Sequence, residues 1–467
     1  MPLQAINPAT EEVVATYPES TPAQVEEALA QAHAAYGAWR TTSFAERAAA
    51  LRGLAATLRD RKPRLARLIT TEMGKPIAES EAEIEKCAWN CEYYADNGEQ
   101  FLANEVIATN ARESYVEFTP LGVVLAIMPW NFPFWQVLRF AAPAMMAGNA
   151  AVLKHASNVP GCALAIEDLF RAGGFPDGIL RTVLVPGATA EQMIADPRVR
   201  AVTLTGSDIA GARVAAAAGH ALKKLVLELG GSDPYIVLAD ADLDAAATIG
   251  ARARNLNTGQ SCIAAKRFIV VEEVADAFEA RFKAAVEALK IGDPLDPATQ
   301  IGPMARGDLR AALHDQVERS VAMGARVLTG GAPREGKGYY YPPTVLTGVT
   351  TEMPVFREET FGPVAAVIRA RDEDEAIALG NDTVYGLGSN LWTADVERAR
   401  TLARRIEAGG VFINGMVASD PRLPFGGVKR SGYGRELSAF GIREFVNIQT
   451  VWIGPAATAT PVSAAAE

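Results

Sequence analysis

Two kinds of hydrophobic pattern divide the chain. In roughly the first hundred residues the apolar positions recur with the spacing of amphipathic helices, and Ser43 and Glu46 form a capping box ahead of a run that ends near Arg61. A second long helical run extends from about Ile77 to Gly98. The chain beyond these helices is different, because short apolar runs rich in β-branched residues predominate there.

The short apolar runs predict two series of parallel β-strands. The first series is Gly122–Met128, Ala150–Lys154, Arg181–Val185, Ala201–Thr205 and Lys224–Leu229. The second series includes Tyr235–Leu238, Arg267–Val271 and Val364–Ile368. Helical segments separate most of these runs, and that alternation is typical of βαβ units around a mostly parallel sheet. We therefore predict two α/β domains that join near Gly230 and Gly231.

Two further strand-like segments lie outside both series. Polar and apolar residues alternate in Glu113–Phe118, which predicts a strand with one exposed face, and Asn447–Ile453 is a second segment of this kind. Because an unpaired strand edge recruits a partner, we predict that both segments join subunits in a homodimer or a dimer of dimers. The stretch 456–467 has too few large apolar residues to pack firmly.

Composition narrows the classes of function. The 467 residues include 45 Lys and Arg against 55 Asp and Glu, a formal net charge of -10, which argues against nucleic-acid binding. Four cysteines are too few for a disulfide framework, so we expect a reducing compartment. The N-terminus lacks the features of a secretory signal, and no apolar run approaches the ~20 residues of a membrane span. We expect a cytoplasmic protein without a membrane partner.

Cys262 and Glu228 are the first candidates for chemistry. Cys262 ends the polar segment NTGQSC ahead of a predicted strand, so its thiol can face a cleft, although a cysteine that only packs is the alternative. None of the four histidines is an obvious partner for this thiol. Glu228 ends an apolar strand, and burial there would raise its pKa toward the range of a general base. An ion-paired glutamate at a strand end is the alternative for this residue.

Two turns that follow predicted strands supply further candidates. Asn131, in the segment MPWNFP, lies where open α/β sheets bind ligands, and its amide can donate to a developing oxyanion. A rigid aromatic turn is the alternative explanation. Gly206 and Ser207 stand between a strand and a helix, where backbone N–H groups can face a phosphate. A strand-to-helix turn capped by serine accounts for the same two residues without any nucleotide.

Six ordered motifs together resemble the NAD(P)-dependent aldehyde dehydrogenase superfamily over nearly the whole chain. They are PWNFP (129–133), LTGS (204–207), LELGGSDP (227–234), NTGQSC (257–262), REETFGPV (357–364) and LPFGGVKRSGYGRE (423–436). Within the superfamily the chain is most similar to bacterial succinate-semialdehyde dehydrogenases, with KHASN at 154–158 and YYPPTVL at 340–346. The resemblance implies an α/β fold with a Rossmann-like cofactor domain, a second α/β catalytic domain and a small β-extension for oligomerisation.

The resemblance also implies domain boundaries. The NAD(P)-binding domain comprises residues 1–110 and 121–229, and the catalytic domain with the nucleophilic cysteine comprises 230–429. The oligomerisation segments are 111–120 and 430–455. A tail at 456–467 follows them.

The mechanism implied by the resemblance is oxidation of succinate semialdehyde to succinate. Cys262 attacks the aldehyde carbon, and Asn131 together with the Cys262 backbone N–H holds the oxyanion of the thiohemiacetal. Hydride transfer to the nicotinamide leaves a thioester, and Glu228 activates the water that hydrolyses it. Glu436 matches a buried acid sometimes proposed as a proton relay, for which a structural role is the alternative. Another short aldehyde such as glutarate semialdehyde, or cysteine hydrolase or acyltransferase chemistry, remains an alternative.

The resemblance assigns a set of residues to the cofactor. They are Trp130, Lys154, Ser157, Gly206, Ser207, Glu359 and Phe361. Superfamily members that prefer NAD carry a glutamate three residues after the ribose lysine, where this chain has Ser157. A serine removes the repulsion of a 2′-phosphate, and Lys154 supplies positive charge. We therefore predict that NADP is preferred, with NAD also possible.

A second set of residues is assigned to the substrate. They are Trp135, Arg139, Ser419 and Phe425. An arginine in the apolar segment around residue 139 is costly to bury without an anion, and the resemblance pairs Arg139 with the distal carboxylate of succinate semialdehyde. A carboxylate within the protein is the alternative partner. Cys87 and Cys91 have i, i+4 spacing but no nearby histidine, so we interpret them as core residues and predict no metal site.

Overall fold

Helices and strands alternate through most of the described chain. The structure is a computed structural model that describes residues 2–454, so the predicted tail at 456–467 lies outside the described residues. The helices are α1 (Pro22–Trp39), α2 (Phe44–Asp60), α3 (Lys62–Met73), α4 (Ile77–Phe101), α5 (Trp135–Met146), α6 (Pro160–Ala172), α7 (Gly187–Ile194), α8 (Asp208–His220), α9 (Leu243–Asn255), α10 (Glu272–Glu287), α11 (Gly307–Ala322), α12 (Pro354–Arg357), α13 (Glu373–Asn381), α14 (Val396–Ala403) and α15 (Ser438–Arg443). The strands are β1 (Leu3–Asn7), β2 (Glu12–Tyr17), β3 (Glu105–Val106), β4 (Glu113–Pro120), β5 (Val123–Met128), β6 (Ala150–His155), β7 (Leu180–Thr182), β8 (Val199–Thr205), β9 (Lys224–Glu228), β10 (Asp233–Val237), β11 (Ala265–Val271), β12 (Arg326–Thr329), β13 (Thr344–Thr347), β14 (Val364–Ala370), β15 (Gly388–Trp392), β16 (Gly410–Ile413), β17 (Gly432–Tyr433) and β18 (Val446–Ile453).

The two helices predicted from periodicity are α2 and α4, and local sequence explains where α2 begins. The Ser43 side chain accepts a hydrogen bond from the Glu46 backbone N–H, and the Glu46 carboxylate accepts one from the Ser43 backbone N–H. This reciprocal capping box satisfies N–H groups that have no partner within the helix. The α3 helix ends at Gly74, whose φ of 81° is a conformation that glycine adopts readily. These helices pack over the first large sheet.

The first large sheet has six strands in the order β17-β9-β8-β5-β6-β7. The strands β5 to β9 are parallel to their neighbours, and only β17 is antiparallel. All five strands predicted for the first series are confirmed, although β7 is shorter than expected. The chain passes from β5 to β6 and β7 on one side, then returns to β8 and β9 on the other. The carboxyl ends of β5 and β8 therefore flank the topological switch point, where open sheets of this type bind ligands.

The second large sheet has seven strands in the order β12-β13-β14-β11-β10-β15-β16. Its strands are parallel apart from β12, which pairs antiparallel with β13. The predicted strands β10, β11 and β14 are confirmed at its centre, where apolar residues are buried on both faces. The two sheets follow each other along the chain, because β9 ends at Glu228 and β10 begins at Asp233.

A third, small sheet contains the two segments predicted outside the main series. β18 pairs antiparallel with β4 along its whole length, from Val446 opposite Pro120 to Ile453 opposite Glu113. β17 pairs instead with β9, and α15 packs against α4 and α5. Within the predicted 430–455 segment, β18 is thus the part that joins the small sheet. The domain boundaries themselves stay predictions.

Candidate active site

Cys262 lies in the turn that joins α9 to β11, and this turn is held in an unusual conformation. Asn257 and Thr258 have φ values of 55° and 54°, in the left-handed region that residues other than glycine seldom adopt. The Asn257 side-chain amide donates to the Asn131 carbonyl at 2.7 Å, and Lys266 Nζ donates to the Cys262 carbonyl at 2.7 Å. The first bond fixes the turn to Asn131 in the segment that follows β5, and the second fixes it to β11.

The environment of the Cys262 thiol favours its protonated form. Burial raises the pKa of this thiol to about 12, while the positive charges of Arg139 and Lys266 act in the opposite direction. Only the thiolate is strongly nucleophilic, so a nucleophilic attack by Cys262 needs a group that accepts the thiol proton.

Glu228 has the properties of that proton acceptor. It is the last residue of β9 and only 2% exposed, and neither carboxylate oxygen has a hydrogen-bond partner in the described structure. Burial raises its pKa well above the usual range, opposed by the charge of Arg139 and reinforced by that of Glu436. A Cβ at Gly426 would lie 2.7 Å from Glu228 Oε1, so glycine there leaves room for the carboxyl group. Glu228 is thus a buried carboxyl group with a raised pKa, and its two oxygens have no hydrogen-bond partner among the described residues.

The Asn131 side chain is oriented by two hydrogen bonds. Its Oδ1 accepts from Gln136 Nε2 at 3.0 Å, and its Nδ2 donates to the Gln260 carbonyl at 3.0 Å. An amide nitrogen carries two hydrogens, so the second one is free to donate to an oxyanion. Gln260 lies two residues before Cys262, and the bond therefore links the donor to the turn that carries the thiol.

The residues assigned to the dinucleotide lie at the carboxyl ends of adjacent parallel strands. Trp130 follows β5, Lys154 is near the end of β6, and Gly206 and Ser207 follow β8. Ser207 caps α8 by accepting from the Ala210 backbone N–H at 3.2 Å. A Cβ at Gly206 would contact only Leu204, at 3.5 Å, so the turn is open on its other sides. This open turn at a helix N-terminus fits a pyrophosphate.

Lys154 and Ser157 offer a place for a further anion. Burial lowers the pKa of Lys154, and within residues 2–454 its ammonium has no ion pair or hydrogen bond. Ser157 is exposed in the turn after β6. A positive charge without a partner beside an exposed hydroxyl suits a 2′-phosphate.

Glu359 and Phe361 precede β14 of the second large sheet and lie at the same cleft. The Phe361 and Trp130 rings meet edge to face, with centroids 5.8 Å apart. Glu359 Oε1 accepts from the Gly231 backbone N–H at 3.0 Å and lies 3.5 Å from Lys266 Nζ. The site is thus built between the carboxyl ends of strands in the first large sheet and the amino ends of β10, β11 and β14 in the second.

Arg139 has a partner within the protein. Its Nε forms an ion pair with the Glu436 carboxylate, and both side chains are buried. Its Nη2 lies 3.3 Å from Thr205 Oγ1, and its guanidinium carbon lies 4.6 Å from the Phe425 ring centroid. Of the two anions that the sequence left open for Arg139, the structure therefore shows the internal one.

Trp135 and Ser419 contact each other, together with a residue that the sequence analysis missed. Trp135 Nε1 donates to Ser419 Oγ at 3.1 Å. Lys86 Nζ donates to the same oxygen at 2.8 Å and lies 4.2 Å from the Trp135 ring centroid. Lys86 follows several glutamates in α4, a pattern typical of a solvated helix face, so only the fold reveals its position.

Glu83 is a second residue missed from the sequence, and it positions α5. Its Oε1 accepts from the backbone N–H groups of Phe134 and Trp135, at 2.8 and 2.9 Å. Its other oxygen forms an ion pair with buried Lys75, whose ammonium lies 3.7 Å from the Phe132 ring centroid. A carboxylate at a helix N-terminus is stabilised by the helix dipole. Glu83 thus fixes the start of the helix that carries Trp135 and Arg139.

Residues 2–454 contain no group of three or more His, Cys, Asp or Glu side chains arranged to hold a metal ion. No helix in this range is both long and apolar enough to cross a membrane.

Comparisons with known proteins show which family the chain belongs to. A model described as "Aldehyde dehydrogenase family" matches residues 1–451. The chain is 52% identical to a probable NADP(+) succinate-semialdehyde dehydrogenase of Synechocystis, covering 97% of this chain and 100% of that one. It is also 52% identical to an NADP(+) succinate-semialdehyde dehydrogenase of Mycolicibacterium paratuberculosis, covering 97% of each. The succinic semialdehyde dehydrogenase of Streptococcus pyogenes, solved with NADP+, superposes with a TM-score of 0.95 at 38% identity, covering 97% of this chain and 100% of that one. With a matching family model along nearly its entire length and relatives of such high identity, the chain belongs to the aldehyde dehydrogenase family.

Proposed function

We propose that the protein oxidises succinate semialdehyde to succinate and uses NADP+ as the hydride acceptor. The observation that carries the reaction type is the Cys262 turn tied to the oriented Asn131 amide, together with the buried Glu228 carboxyl group, which has no hydrogen-bond partner among the described residues and shares the charge of Arg139 with Cys262. The substrate and the cofactor are supported by the names of relatives that are 52% identical.

Each side chain of the site has a defined task in this reaction. The Cys262 sulfur bonds to the aldehyde carbon while its proton passes to Glu228, and the oxyanion accepts hydrogen bonds from Asn131 Nδ2 and the Cys262 backbone N–H. NADP+, when bound, supplies the acceptor for the hydride that leaves this carbon. Glu228 passes the thiol proton on to solvent and is again a carboxylate, and it then takes a proton from the water that attacks the thioester carbon. The carbon–sulfur bond breaks to release succinate, and the leaving thiolate takes the proton back from Glu228.

The cofactor preference rests on Lys154 and Ser157, as the unpartnered ammonium and the exposed hydroxyl leave room for a 2′-phosphate. Trp130, Gly206, Ser207, Glu359 and Phe361 complete the proposed cofactor site. Trp135, Ser419 and Phe425 are proposed to line the substrate tunnel.

The quaternary structure and the compartment also belong to the proposal. β18 is an edge strand, and its side chains Ile448 and Trp452 are 63% and 52% exposed. Large apolar residues on an edge favour pairing with a second copy, so we propose a homodimer or a dimer of dimers. The four cysteines are all free thiols, which supports a cytoplasmic location.

The proposed function is tested by following reduction of the nicotinamide with purified protein. We expect a kcat/KM for succinate semialdehyde at least about 10-fold above that for butyraldehyde, because only the former carries a carboxylate for charge-assisted binding. NADP should support faster turnover than NAD. Absence of reduction with both cofactors would contradict the reaction type, and equal rates for the two aldehydes would contradict the substrate.

A substitution at Ser157 tests the cofactor site. In Ser157→Glu the new carboxylate would face the 2′-phosphate, and like charges brought together cost enough to lower kcat/KM for NADP by about 100-fold. Activity with NAD should be retained or increased. Ser157→Gln, which has the same size without the charge, serves as the control and should lose far less. If both variants lose NADP activity equally, the effect is steric and the proposed role of Ser157 fails.

A further inference from the structure

The turn that carries Cys262 is bonded to a carboxylate from a distant part of the chain. The helix α9 ends at Asn255, and the backbone N–H of Asn257 follows it. Glu79, in the first turn of α4, supplies the acceptor for this N–H, with its Oε2 at 2.7 Å from the Asn257 nitrogen. Glu79 thus joins a helix that packs over the first large sheet to the turn between α9 and β11 of the second.

This turn depends on such contacts because its backbone is strained. Asn257 and Thr258 are consecutive residues with φ values of 55° and 54°, and the β-branched side chain of Thr258 disfavours that region further. A conformation of this kind persists only where the surrounding structure holds it. The Asn257 N–H is held by Glu79, and the Thr258 hydroxyl exchanges hydrogen bonds with the Gly302 backbone at 3.1 and 3.3 Å.

Asn257 passes this restraint on to the groups that carry the chemistry. Its side-chain amide donates to the Asn131 carbonyl at 2.7 Å and to the Gln260 carbonyl at 3.2 Å. The Asn131 amide donates to the same Gln260 carbonyl at 3.0 Å, two residues before Cys262. The position of Asn257 therefore sets how the turn meets the oxyanion donor, and Glu79 holds the backbone of Asn257.

The corner between α3 and α4 gives Glu79 a firm base. A Cβ at Gly302 would lie 2.3 Å from the carbonyl oxygen of Gly74, the residue at which α3 ends, so the two backbones are in close contact. Gly302 is also the residue that bonds to the Thr258 hydroxyl. The corner that precedes Glu79 and the turn that precedes Cys262 are therefore packed on one common segment.

We propose that Glu79 is a positioning residue for catalysis, which holds the Cys262 turn in register with the Asn131 oxyanion donor by accepting the Asn257 N–H. This inference rests on the proposed function. An ionised carboxylate accepts a stronger hydrogen bond than a neutral oxygen does, so the strained backbone is held most firmly when Glu79 carries its charge. Glu79 acts through Asn257 alone and takes no proton from the thiol or from water.

Two substitutions of Glu79 separate hydrogen-bond acceptance from the bulk of the side chain. In Glu79→Ala, kcat should fall by about 10-fold while KM for NADP changes by less than about 2-fold, because misplaced reacting groups slow the chemical step and the proposed cofactor residues lie on other segments. Glu79→Gln keeps an oxygen acceptor and should recover most of this loss. Glu85→Ala, which removes a carboxylate paired with Arg59 and Lys62 from the same helix, is the control and should leave kcat unchanged.

The pH dependence is a readout that a purely structural role would not change. Burial raises the pKa of Glu79 to about 7, opposed by the hydrogen bond from Asn257, so the carboxylate is present above this pH and protonated below it. The ratio of kcat for the unaltered protein to kcat for Glu79→Gln should therefore rise from about 1 to about 3 as the pH increases through this range. The other charged groups facing Glu79 are Lys75, Glu83 and Arg252. Titration of the site residues that both proteins share cancels in the ratio.

Hydrogen–deuterium exchange of the peptide at 255–262 examines the same contact without turnover. Exchange at the Asn257 amide should be at least about 10-fold faster in Glu79→Ala and close to that of the unaltered protein in Glu79→Gln. If the unaltered protein oxidises no aldehyde, the proposed function fails, while the exchange rates still decide whether Glu79 holds the turn.

Three results would overturn the inference. They are an unchanged kcat in Glu79→Ala, an equal loss of kcat in Glu79→Ala and Glu79→Gln, and a kcat ratio that does not vary with pH. If Glu79→Ala does not fold, the pH series decides, because it needs only Glu79→Gln.

Discussion

Replacing Cys262 with alanine is expected to lower aldehyde-dependent reduction of NADP by at least about 10⁴-fold, because no covalent intermediate can form without the sulfur. Ile263 and Ala264 beside this position carry no nucleophile, and the neutral hydroxyl of buried Ser261 is far less nucleophilic than a thiolate. Initial rates at saturating aldehyde and cofactor measure the loss. The Asn131 amide and Glu228 remain in place in this variant, so any residual rate reports catalysis without the nucleophile.

Cys162→Ala is the matched control for this loss. Cys162 is a fully buried thiol in α6, a helix that does not include the turn after α9, and burial raises its pKa well above the usual value. Its removal leaves a small cavity, so a lower Tm with turnover close to that of the unaltered protein is expected. Cys262→Ala should show the opposite result, with near-normal Tm and negligible turnover. Retention of more than about one hundredth of the activity in Cys262→Ala would rule out a covalent mechanism at this residue.

The parts of the fold that could be predicted are those whose local pattern and final environment agree. β5, β6 and β8 are buried on both faces along most of their length, so their sequences are mostly apolar and indicate strands directly. β15 is equally buried, but it reads Gly-Ser-Asn-Leu-Trp and contains two polar residues. Ser389 Oγ donates to the Gly410 carbonyl at 3.1 Å and Asn390 Nδ2 to the Gly415 carbonyl at 2.7 Å. Only the tertiary structure supplies these acceptors. The sequence of β15 alone therefore does not indicate a strand.

Agreement between local sequence pattern and final environment also explains which residues of the site could be predicted. The candidates Cys262, Asn131 and Glu228 stand at turns and strand ends, where a polar residue in an apolar context is visible in the sequence. The partner of Arg139 was not predictable, because Glu436 approaches it only through the antiparallel bridge that Phe425 and Glu436 form. Lys86 lies on a long helix in which charged residues are frequent. Whether such a residue faces solvent or a tunnel depends on what packs against the helix.

Glu228→Gln is expected to stop the cycle at the thioester. Glutamine fills the same space beside Gly426 but accepts no proton at neutral pH, and the loss of a general base lowers turnover by about 10²-fold to 10⁴-fold. Hydrolysis of the thioester requires a base for the water and should be slowed most, so an acyl group accumulates on Cys262. Intact-mass measurement and peptide mapping of a quenched sample should detect a succinyl adduct on Cys262. In the time course, a short burst of NADPH should precede the slow steady state.

Two comparisons make the assignment of Glu228 specific. Glu72→Gln removes another buried carboxyl, one that accepts from the backbone N–H groups of Gly161 and Cys162, so it should lower Tm without any adduct on Cys262. Burial raises the pKa of Glu228 well above its usual range, so its basic form grows as the pH rises, and turnover of the unaltered protein should increase with pH above the range in which an ordinary glutamate titrates. Glu228→Gln should lose this contribution to the profile. If it turns over without an adduct at a rate close to normal, another group activates the water, and the buried carboxyl group at the end of β9 has no part in deacylation.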